Sequence, residues 1–413
     1  MAETNWAGNY TYGARSIHAP RSLEELQELV AKTPRLRILG SRHSFTEIAD
    51  ADELVSVERL PRQIAVDRDA MTVAVSGAVR YGELAEELAR HDVALANLAS
   101  LPHIAVAGAV STATHGSGDH NGNLATAVTA LELVTSDGDL LEVGRGQPDF
   151  EGLVVGLGAV GALTRVTLDL EPAYEVRQHV FEGLRWETLY EQFDAITASG
   201  YSVSVFHRWG ETTEQVWIKT HADSPAPEEL FDAHPSPENR HPIPGLDPAS
   251  CTPQRGAPGP WFDRLPHFRM GFTPSSGEEI QSEYIVPRTH GPAAIEAVRG
   301  LGRTLRPLIQ VSEIRTIAAD SLWMSPQYGR DTVAIHFTWV PEQAAVRRAL
   351  VDLEAALAPF DARPHWGKLF LADAETIGRL YERRGDFVRL LERVDPRAAF
   401  RNEWLDVRVL GRP

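Results

Sequence analysis

The sequence predicts an α+β fold of two domains, a cofactor-binding domain and then a domain built on a large antiparallel sheet backed by helices. At 413 residues the chain is too long for one compact core. Strands, helices and glycine loops alternate up to about residue 170, and long alternating strands dominate the second half. We place the first domain at residues 1–172 and the second at 173–384. We expect the segment from about 385 to 413 to pack back on the first domain.

The elements of the first domain are marked by caps and by hydrophobic periodicity. Ser22 can begin a helix, with Glu25 as its capping-box partner. A short strand at 36–39 runs into a glycine loop. Residues 72–76 alternate like a strand and lead through Gly77 into an amphipathic helix at 81–90.

The second domain shows strands at 282–286, 308–317 and 332–340 and a helix at 343–357. The segment 223–260 is dense in proline, histidine and acidic residues. We expect it to be a long surface excursion rather than a core element.

Charge and composition exclude several classes of partner. The net charge of −17 disfavours nucleic acid and anionic membranes. No apolar run approaches about 18 residues, and the first residues lack the pattern of a signal peptide. The single cysteine, Cys251, fits a reducing compartment. We therefore expect a cytoplasmic protein, monomeric, without a nucleic-acid or membrane partner.

The segment Gly156-Leu-Gly-Ala-Val-Gly161 matches the dinucleotide fingerprint GxGxxG letter for letter. That site needs a strand before the glycines and a helix after them. Here the residues before the motif look helical, and 163–170 form a clear strand. The order is reversed, which disfavours a nicotinamide cofactor.

Two other segments are better placed to hold a dinucleotide. The loop 40–44 turns tightly after a strand, so that successive backbone amides can face a pyrophosphate. The stretch 100–117 is poor in charge and rich in Gly, Ala, Ser and Thr, which lets a flat ring approach the main chain. Taken alone, the stretch 100–117 is equally compatible with a segment of small residues that only packs in the protein core.

Polar residues stand in strands that should be apolar. Alternation places Glu313 and Arg315 on an otherwise apolar face of one strand, and buried charges are costly unless paired or functional. The alternative is a salt bridge on an edge strand. In the next strand His336 and Thr338 lie opposite a solid core face, where they form a polar floor.

Lys368, one of only three lysines, lies among aromatic residues in His365-Trp-Gly-Lys368. Its ammonium could favour loss of a proton from an alcohol, and the alternative is a surface lysine with a buried stem. His115 and His120 lack a carboxylate or cysteine at matching spacing, so we predict no metal site.

The loop 40–45, the segment 108–116 and the segment 158–167 together resemble the vanillyl-alcohol oxidase class of FAD proteins. The resemblance implies the two-domain fold of that class and FAD attached covalently through His43, whose neutral ring can add to the flavin methyl group. The residues that it assigns to the cofactor are Gly40, Ser41, Arg42, His43, Ser44, Ser100, Val106, Gly108, Ser111, Thr112, Thr114, His115, Gly116, Gly158, Gly161 and His365.

Over nearly the whole chain, Glu-x-Arg, His-x-Thr and His-Trp-x-Lys are similar to the bacterial alditol (xylitol) oxidases. This resemblance implies oxidation of the terminal C1 hydroxyl of an alditol such as xylitol or sorbitol to the aldose, with dioxygen reduced to hydrogen peroxide. The partners would be a small polyol and dioxygen, and Ala99 would lie near the reactive flavin edge. The implied catalytic residues are Lys368, Arg315, Glu313 and His336. The implied hydroxyl contacts are Ser100, Glu313, Arg315, Thr338 and Lys368.

Two alternatives remain open. An aldonolactone (gulono- or arabinono-1,4-lactone) oxidase or dehydrogenase of the same flavin class carries the same Glu-x-Arg and His-Trp-x-Lys patterns. A non-catalytic sugar-binding protein would need the polar sheet face but no flavin loop.

Overall fold

The computed structural model describes residues 3–272 and 275–412. The first part of the chain forms a parallel sheet of order β1-β3-β2, an antiparallel sheet of order β4-β5-β9-β7-β8, and the pair β6-β10, among four helices. The strands are β1 (Ser16–His18), β2 (Arg37–Leu39), β3 (Glu53–Ser56), β4 (Ile64–Asp67), β5 (Thr72–Ser76), β6 (Val93–Ala94), β7 (Val128–Val134), β8 (Leu140–Gly144), β9 (Ala162–Asp169) and β10 (Glu171–Pro172). The helices are α1 (Leu23–Lys32), α2 (Tyr81–Arg90), α3 (Val106–Ser111) and α4 (Phe150–Val154).

The second part is a nine-stranded antiparallel sheet with helices on one face. Its order is β14-β11-β13-β12-β17-β18-β16-β19, and β15 pairs with β11. The strands are β11 (Glu175–Glu182), β12 (Ser202–His207), β13 (Gln215–His221), β14 (His234–Pro235), β15 (Gly259–Pro260), β16 (Ile280–Pro287), β17 (Ile309–Ile317), β18 (Thr332–Trp339) and β19 (Arg363–Pro364). The helices are α5 (Trp186–Glu191), α6 (Phe193–Thr197), α7 (Gly291–Gly300), α8 (Gly302–Leu305) and α9 (Gln343–Leu357).

The apolar face of the large sheet is covered as its alternation predicts. Val333, Ile335 and Phe337 of β18 are fully buried in the main core, together with Ile295 of α7 and Leu350 of α9. A side chain at every second position of a strand points to the same face, so the residues between them face the other way. The predicted α+β fold is confirmed, and so are the bounds predicted for β5, α2 and α9.

The C-terminal segment returns to the first part of the chain. It contains α10 (Ala374–Leu380), α11 (Arg384–Val394), α12 (Glu403–Leu405) and a π-helical turn, Asp406–Leu410. The backbone N–H of Leu36 donates to the carbonyl of Ala399 at 2.8 Å. The predicted domain boundary at 172/173 falls between β10 and β11 and stays a prediction. Within the described residues, no helix has the length and apolarity needed to cross a membrane.

The N-terminal cap of α1 and the position of the glycine motif agree with the sequence predictions, except for one hydrogen bond of Glu25. Ser22 caps α1 by accepting from the N–H of Glu25 at 3.2 Å. The Glu25 carboxylate, however, accepts from the N–H of Arg21 at 2.7 Å rather than from that of Ser22. The glycine motif at 156–161 lies between α4 and β9, so the reversed order is confirmed and a strand follows the glycines.

The prediction that 223–260 is a surface excursion is wrong for part of that segment. Ile243 and Cys251 are buried in a cluster with Phe206, Trp217 and Val311 of the large sheet. The segment contains only the two-residue strands β14 and β15 and a single turn of 3₁₀ helix, but it covers one end of the sheet. Its composition indicates exposure, because proline and acidic residues outnumber the few apolar residues that anchor it.

Arg37 connects three distant segments through backbone carbonyls. Its guanidinium is fully buried and donates to Gly158 O at 2.9 Å, Leu157 O at 2.6 Å, Phe400 O at 2.7 Å and Ile48 O at 2.5 Å. The fixed planar fork of arginine can satisfy several acceptors at once. This side chain therefore holds the glycine motif and the C-terminal segment against β2.

We expect Arg37→Met to lower the free energy of unfolding by about 3 kcal/mol or more, because several buried carbonyls lose their donor. Urea unfolding followed by far-UV circular dichroism measures the change. Arg35→Met is the matched control, since Arg35 is exposed two residues away. Equal unfolding midpoints for the two variants would contradict the role of Arg37.

Candidate active site

A cavity of about 1720 Å³, a volume that includes its open mouth, lies between the glycine loops and the polar face of the large sheet. The loop after β2, the segment around α3 and the glycines at 158 and 161 form one wall. Strands β16, β17 and β18 form the floor. The residues of this floor are Gln281, Glu283, Val311, Glu313, Arg315, His336 and Thr338.

The floor is built by strand register. His336 on β18 pairs with Glu313 on β17 and with Glu283 on β16, so these three side chains form one row. Thr338 pairs with Gln281 in the neighbouring row. Strand β17 lies between β12 and β18, so the alternative of a salt bridge on an edge strand is excluded.

Glu283 is the buried counter-ion of two cations. Its side chain is 0% exposed; Oε1 accepts from Arg315 Nη2 at 2.6 Å and Oε2 accepts from Lys368 Nζ at 2.7 Å. Burial opposes ionisation, but Lys368 and Arg315 hold the pKa of Glu283 well below its usual range. A buried carboxylate with two charged donors is stable only in its ionised form. The cavity therefore carries two fixed positive charges.

Lys368 reaches the floor from the loop after β19. Its side chain is 14% exposed, so the alternative of a surface lysine is wrong. Burial lowers the pKa of Lys368, and Glu283 opposes this shift. The ammonium therefore loses its proton more readily than that of a surface lysine, although it is salt-bridged.

Glu313 is a second buried carboxylate on the floor. Burial opposes its ionisation, but Arg315 and then His267 hold its pKa below the ordinary value. Arg315 also donates to Ser100 Oγ at 3.2 Å, which connects the floor to the small-residue segment. The ionised Glu313 is a hydrogen-bond acceptor beside the two cations.

Two histidines that face the cavity, His43 and His336, are neutral. Burial lowers the pKa of His43 to about 3, with smaller contributions from His103 and Arg80. Burial and Lys368 lower the pKa of His336 well below its ordinary value. His43 Nδ1 and both ring nitrogens of His336 have no hydrogen-bond partner among the described residues. Unpartnered polar atoms that line a cavity point to a bound ligand.

The glycine wall leaves the backbone open to a flat cofactor. A methyl group added at Gly40 or Gly108 would meet no atom within 4 Å, so a ligand can approach the main chain there. Arg42 adopts φ 60°, a left-handed conformation that turns the loop sharply. The backbone N–H of Ala105 donates to Ser41 Oγ at 2.9 Å, which fastens this loop to the start of α3. These features fit a dinucleotide.

Nearly all residues that the sequence assigns to the site line this one cavity. Val106 and Gly116 lie outside its lining, because the Val106 side chain is buried in the core and Gly116 packs against Leu98 and Asn97. The residues that the structure brings together there are Gly40, Ser41, Arg42, His43, Ser44, Ala99, Ser100, Gly108, Ser111, Thr112, Thr114, His115, Gly158, Gly161, Glu313, Arg315, His336, Thr338, His365 and Lys368.

Sequence reasoning missed the residues that support this set. Glu283 lies in the strand predicted at 282–286, where a charged residue in a strand is the available signal, and Gln281 lies one residue before that strand. Ile243 lines the cavity from the segment 223–260, which the sequence predicts to be a surface excursion. His267 precedes β16 in an irregular loop, and the sequence pattern around it gave no signal.

His115, His365 and Glu283 lie close together, with ligand atoms within 4.8 Å of one another. Such a group can hold a metal ion in other settings. Here the same carboxylate already binds Lys368 and Arg315, and their charges would repel a cation. The carboxylate near His115 comes from the distant strand β16, and His120 is not part of this group.

The comparisons with known proteins identify the fold and the class. Cholesterol oxidase from B. sterolicum superposes with a TM-score of 0.79 at 14% identity, over 98% of this chain and 96% of that chain. The family described as FAD binding domain matches residues 14–144, and the family D-arabinono-1,4-lactone oxidase matches residues 276–408. Fold and site thus define an FAD-dependent oxidoreductase with the vanillyl-alcohol oxidase fold.

Relatives that match this chain over its full length indicate its family within this class of FAD-dependent oxidoreductases. An alditol oxidase from a Streptomyces species is 48% identical over 409 residues, which cover 98% of each chain. L-gulono-1,4-lactone dehydrogenase from Mycobacterium tuberculosis is 28% identical over 442 residues, and these cover 99% of each chain. The protein belongs to the alditol oxidase family of flavoproteins.

We expect Glu283→Gln to reduce kcat/KM for the best substrate of the wild-type enzyme by about a hundredfold or more. The loss of this charge leaves two buried cations without their counter-ion, which costs about 3 kcal/mol or more. Steady-state kinetics and flavin content per protein measure the effect. Glu278→Gln is the control, since Glu278 is exposed two residues before β16. A Glu283→Gln enzyme with wild-type kinetics would contradict the role of Glu283.

Proposed function

We propose that the protein oxidises the terminal C1 hydroxyl of alditols such as xylitol and sorbitol to the aldose, with dioxygen as electron acceptor and hydrogen peroxide as product. One observation carries the proposal: two buried cations, held by one carboxylate, lie at a sheet face that also presents Glu313 and the neutral polar side chains Gln281, His336 and Thr338. The full-length similarity to an alditol oxidase supports the same substrate class.

Lys368 and Arg315 would hold the reacting hydroxyl. Their charges favour the alkoxide-like transition state, in which a hydride would leave C1 for the bound flavin while the hydroxyl proton would pass to the neutral ring of His336, whose nitrogens have no partner among the described residues. Because Glu283 fixes both groups, little reorganisation is needed when the negative charge develops. This arrangement lowers the barrier without a general base at full negative charge next to the oxygen.

Glu313, Ser100 and Thr338 would position the rest of the polyol. Glu313 accepts a hydrogen bond from the neighbouring hydroxyl, and Ser100 and Thr338 offer hydroxyls that both donate and accept. A rigid sheet holds two of these groups at fixed spacing, which orients the chain of hydroxyls. His336, neutral and without a partner of its own, is available to a hydroxyl beside them.

The glycine wall and His365 would hold FAD, which when bound supplies the hydride acceptor and passes two electrons to dioxygen. We propose that His43 attaches it covalently. A neutral imidazole nitrogen is the nucleophile that such a bond needs, and the low pKa of His43 keeps the ring neutral. Ala99, a small residue, would leave room at the reactive edge.

A second candidate, oxidation of an aldonolactone, is favoured by the match of residues 276–408 to D-arabinono-1,4-lactone oxidase. A lactone carries the same vicinal hydroxyls, and two cations suit its ring oxygen and carbonyl. The two functions differ in the substrate that the floor accepts, so a direct comparison separates them.

Hydrogen peroxide release in air-saturated buffer tests the proposal. We expect xylitol to give peroxide at a kcat/KM about tenfold or more above that of L-gulono-1,4-lactone, since one fitted hydroxyl contact is worth at least this factor. A peroxidase-coupled assay with catalase as the negative control measures both. A higher value for the lactone would establish the second candidate instead.

The covalent bond has its own prediction. We expect the flavin of the wild-type protein to stay with the polypeptide after acid precipitation and that of His43→Ala to remain in solution. Absorbance of pellet and supernatant measures this distribution. His103→Ala is the control, since His103 is a neighbouring, half-buried histidine. Free flavin from the wild-type protein would contradict the bond.

We further propose that the enzyme acts in the cytoplasm as a monomer, with a small polyol and dioxygen as its partners and without nucleic acid or membrane. The acidic net charge and the single cysteine support this setting.

A further inference from the structure

Behind Glu313 lies a buried chain of two more titratable side chains. Lys219 on β13 is 1% exposed and His267 is 5% exposed. Lys219 Nζ lies 3.3 Å from His267 Nδ1, and His267 Nε2 lies 2.9 Å from Glu313 Oε1. Lys219 is outside the cavity lining, so the chain runs from the interior of the sheet to the floor.

Lys219 has as many acceptors around it as an ammonium has protons. Its Nζ donates to the carbonyl of Leu265, to the carbonyl of Pro266 at 3.2 Å and to His267 Nδ1 at 3.3 Å. An ammonium carries three N–H donors and no lone pair. The contacts therefore fit the charged form, with His267 Nδ1 as an acceptor.

This assignment decides the tautomer of His267. If Nδ1 accepts from Lys219, the proton of the neutral ring lies on Nε2, which then donates to the Glu313 carboxylate. The opposite tautomer would aim an N–H at the ammonium and a lone pair at the carboxylate. Both contacts would be repulsive in a site that water does not screen.

The ring itself has little freedom to turn. Phe206 and Trp217 pack against it edge-on, with ring centroids at 5.2 and 5.3 Å. The backbone N–H of His267 donates to Ser100 O at 3.1 Å, and its carbonyl accepts from the N–H of Thr252 at 2.9 Å. The imidazole is therefore held between Lys219 and Glu313.

We propose that Lys219 and His267 are positioning residues: Lys219 fixes His267 as the Nε2–H tautomer, and His267 holds one oxygen of Glu313 so that the other faces the substrate hydroxyl. The inference rests on the proposed function for the identity of the substrate, and on geometry alone for the tautomer. The proposal also gives a role to Lys219, a lysine inside a strand of a chain that contains only three lysines.

The tautomer can be read directly. Burial lowers the pKa of Lys219 to about 7. Burial and the charge of Lys219 lower the pKa of His267 to about 4. At about pH 6, therefore, a charged Lys219 faces a neutral His267 ring. The other charged groups around Lys219 are Glu313 and Arg315; burial keeps the Cys251 thiol protonated by raising its pKa to about 12.

The first experiment is long-range ¹H–¹⁵N correlation of the holoenzyme with ¹⁵N-labelled histidine, without substrate. His267→Gln assigns the signal by its disappearance. We expect a protonated Nε2 and an unprotonated Nδ1 for His267. A protonated Nδ1, either as the opposite tautomer or as the imidazolium, would overturn the proposal. This readout needs no activity, so it stands even if xylitol is not the substrate.

The second experiment compares Lys219→Met with Lys32→Met. Methionine keeps the length of the buried stem, and Lys32 is an exposed lysine that forms a salt bridge with Glu28. We expect Lys219→Met to populate both tautomers of His267, because only the Glu313 contact then favours Nε2–H. We also expect it to raise KM for xylitol about tenfold or more, with a smaller change in kcat, because Glu313 positions a hydroxyl that does not react.

Rescue distinguishes positioning from general stability. His267→Gln keeps a donor towards Glu313, whereas His267→Phe removes it, so we expect the KM of the glutamine variant to lie closer to wild type. Equal KM values for both variants, or a Lys219→Met enzyme with the wild-type tautomer and KM, would overturn the proposal. If the wild-type protein prefers the lactone, the same comparison is made with that substrate.

Discussion

Glu283 is a carboxylate with no exposure to water, in strand β16 of a nine-stranded sheet, and two cations from separate elements contact it. A lone charge in such a place would be costly, and it is stable only if the partners arrive with good geometry. Arg315 comes from the strand two positions across the sheet and Lys368 from a loop close to the C-terminal segment. The site therefore exists only when these distant parts of the chain are folded together.

Besides the two cations and the carboxylates Glu283 and Glu313, neutral histidine rings face the cavity. His43, His336 and His365 all have pKa values lowered by burial, so none of them adds a proton to the cavity at ordinary pH. Neutral rings can donate or accept, whereas the fixed cations can only donate. Because the cations and the neutral rings are separate groups, the cations can polarise one end of a substrate while the rings orient its other hydroxyls.

Much of this could be predicted from the sequence, because alternation fixes which face of a strand a residue joins. Alternation assigns Glu313 and Arg315, and likewise His336 and Thr338, to a common floor, and the reversed order at 156–161 disfavours a nicotinamide cofactor. Alternation does not reveal which strands are neighbours. The pairing of Glu283 with residues 32 and 85 positions away depends on sheet order, which no local pattern encodes.

Irregular loops also limit what can be predicted from the sequence. His267 lies in an irregular segment, where there is no period to indicate its direction. The few apolar residues of 223–260 were outweighed by proline and charge, although Ile243 is among those that shape the cavity. Burial of an irregular segment depends on the surface beneath it, and that surface is known only once the sheet is assembled.

The segment 223–260, which covers one end of the large sheet, affects how the substrate preference of this enzyme can change. Its Pro242 and Ile243 border the cavity, while the charged groups of the floor belong to strands and to a different loop. Exchanges at Pro242 and Ile243 alter the size and hydrophobicity of the cavity wall without replacing any residue of the Glu283 ion pairs. Evolution, or a directed library confined to these two positions, can therefore change the preferred substrate length separately from the chemistry.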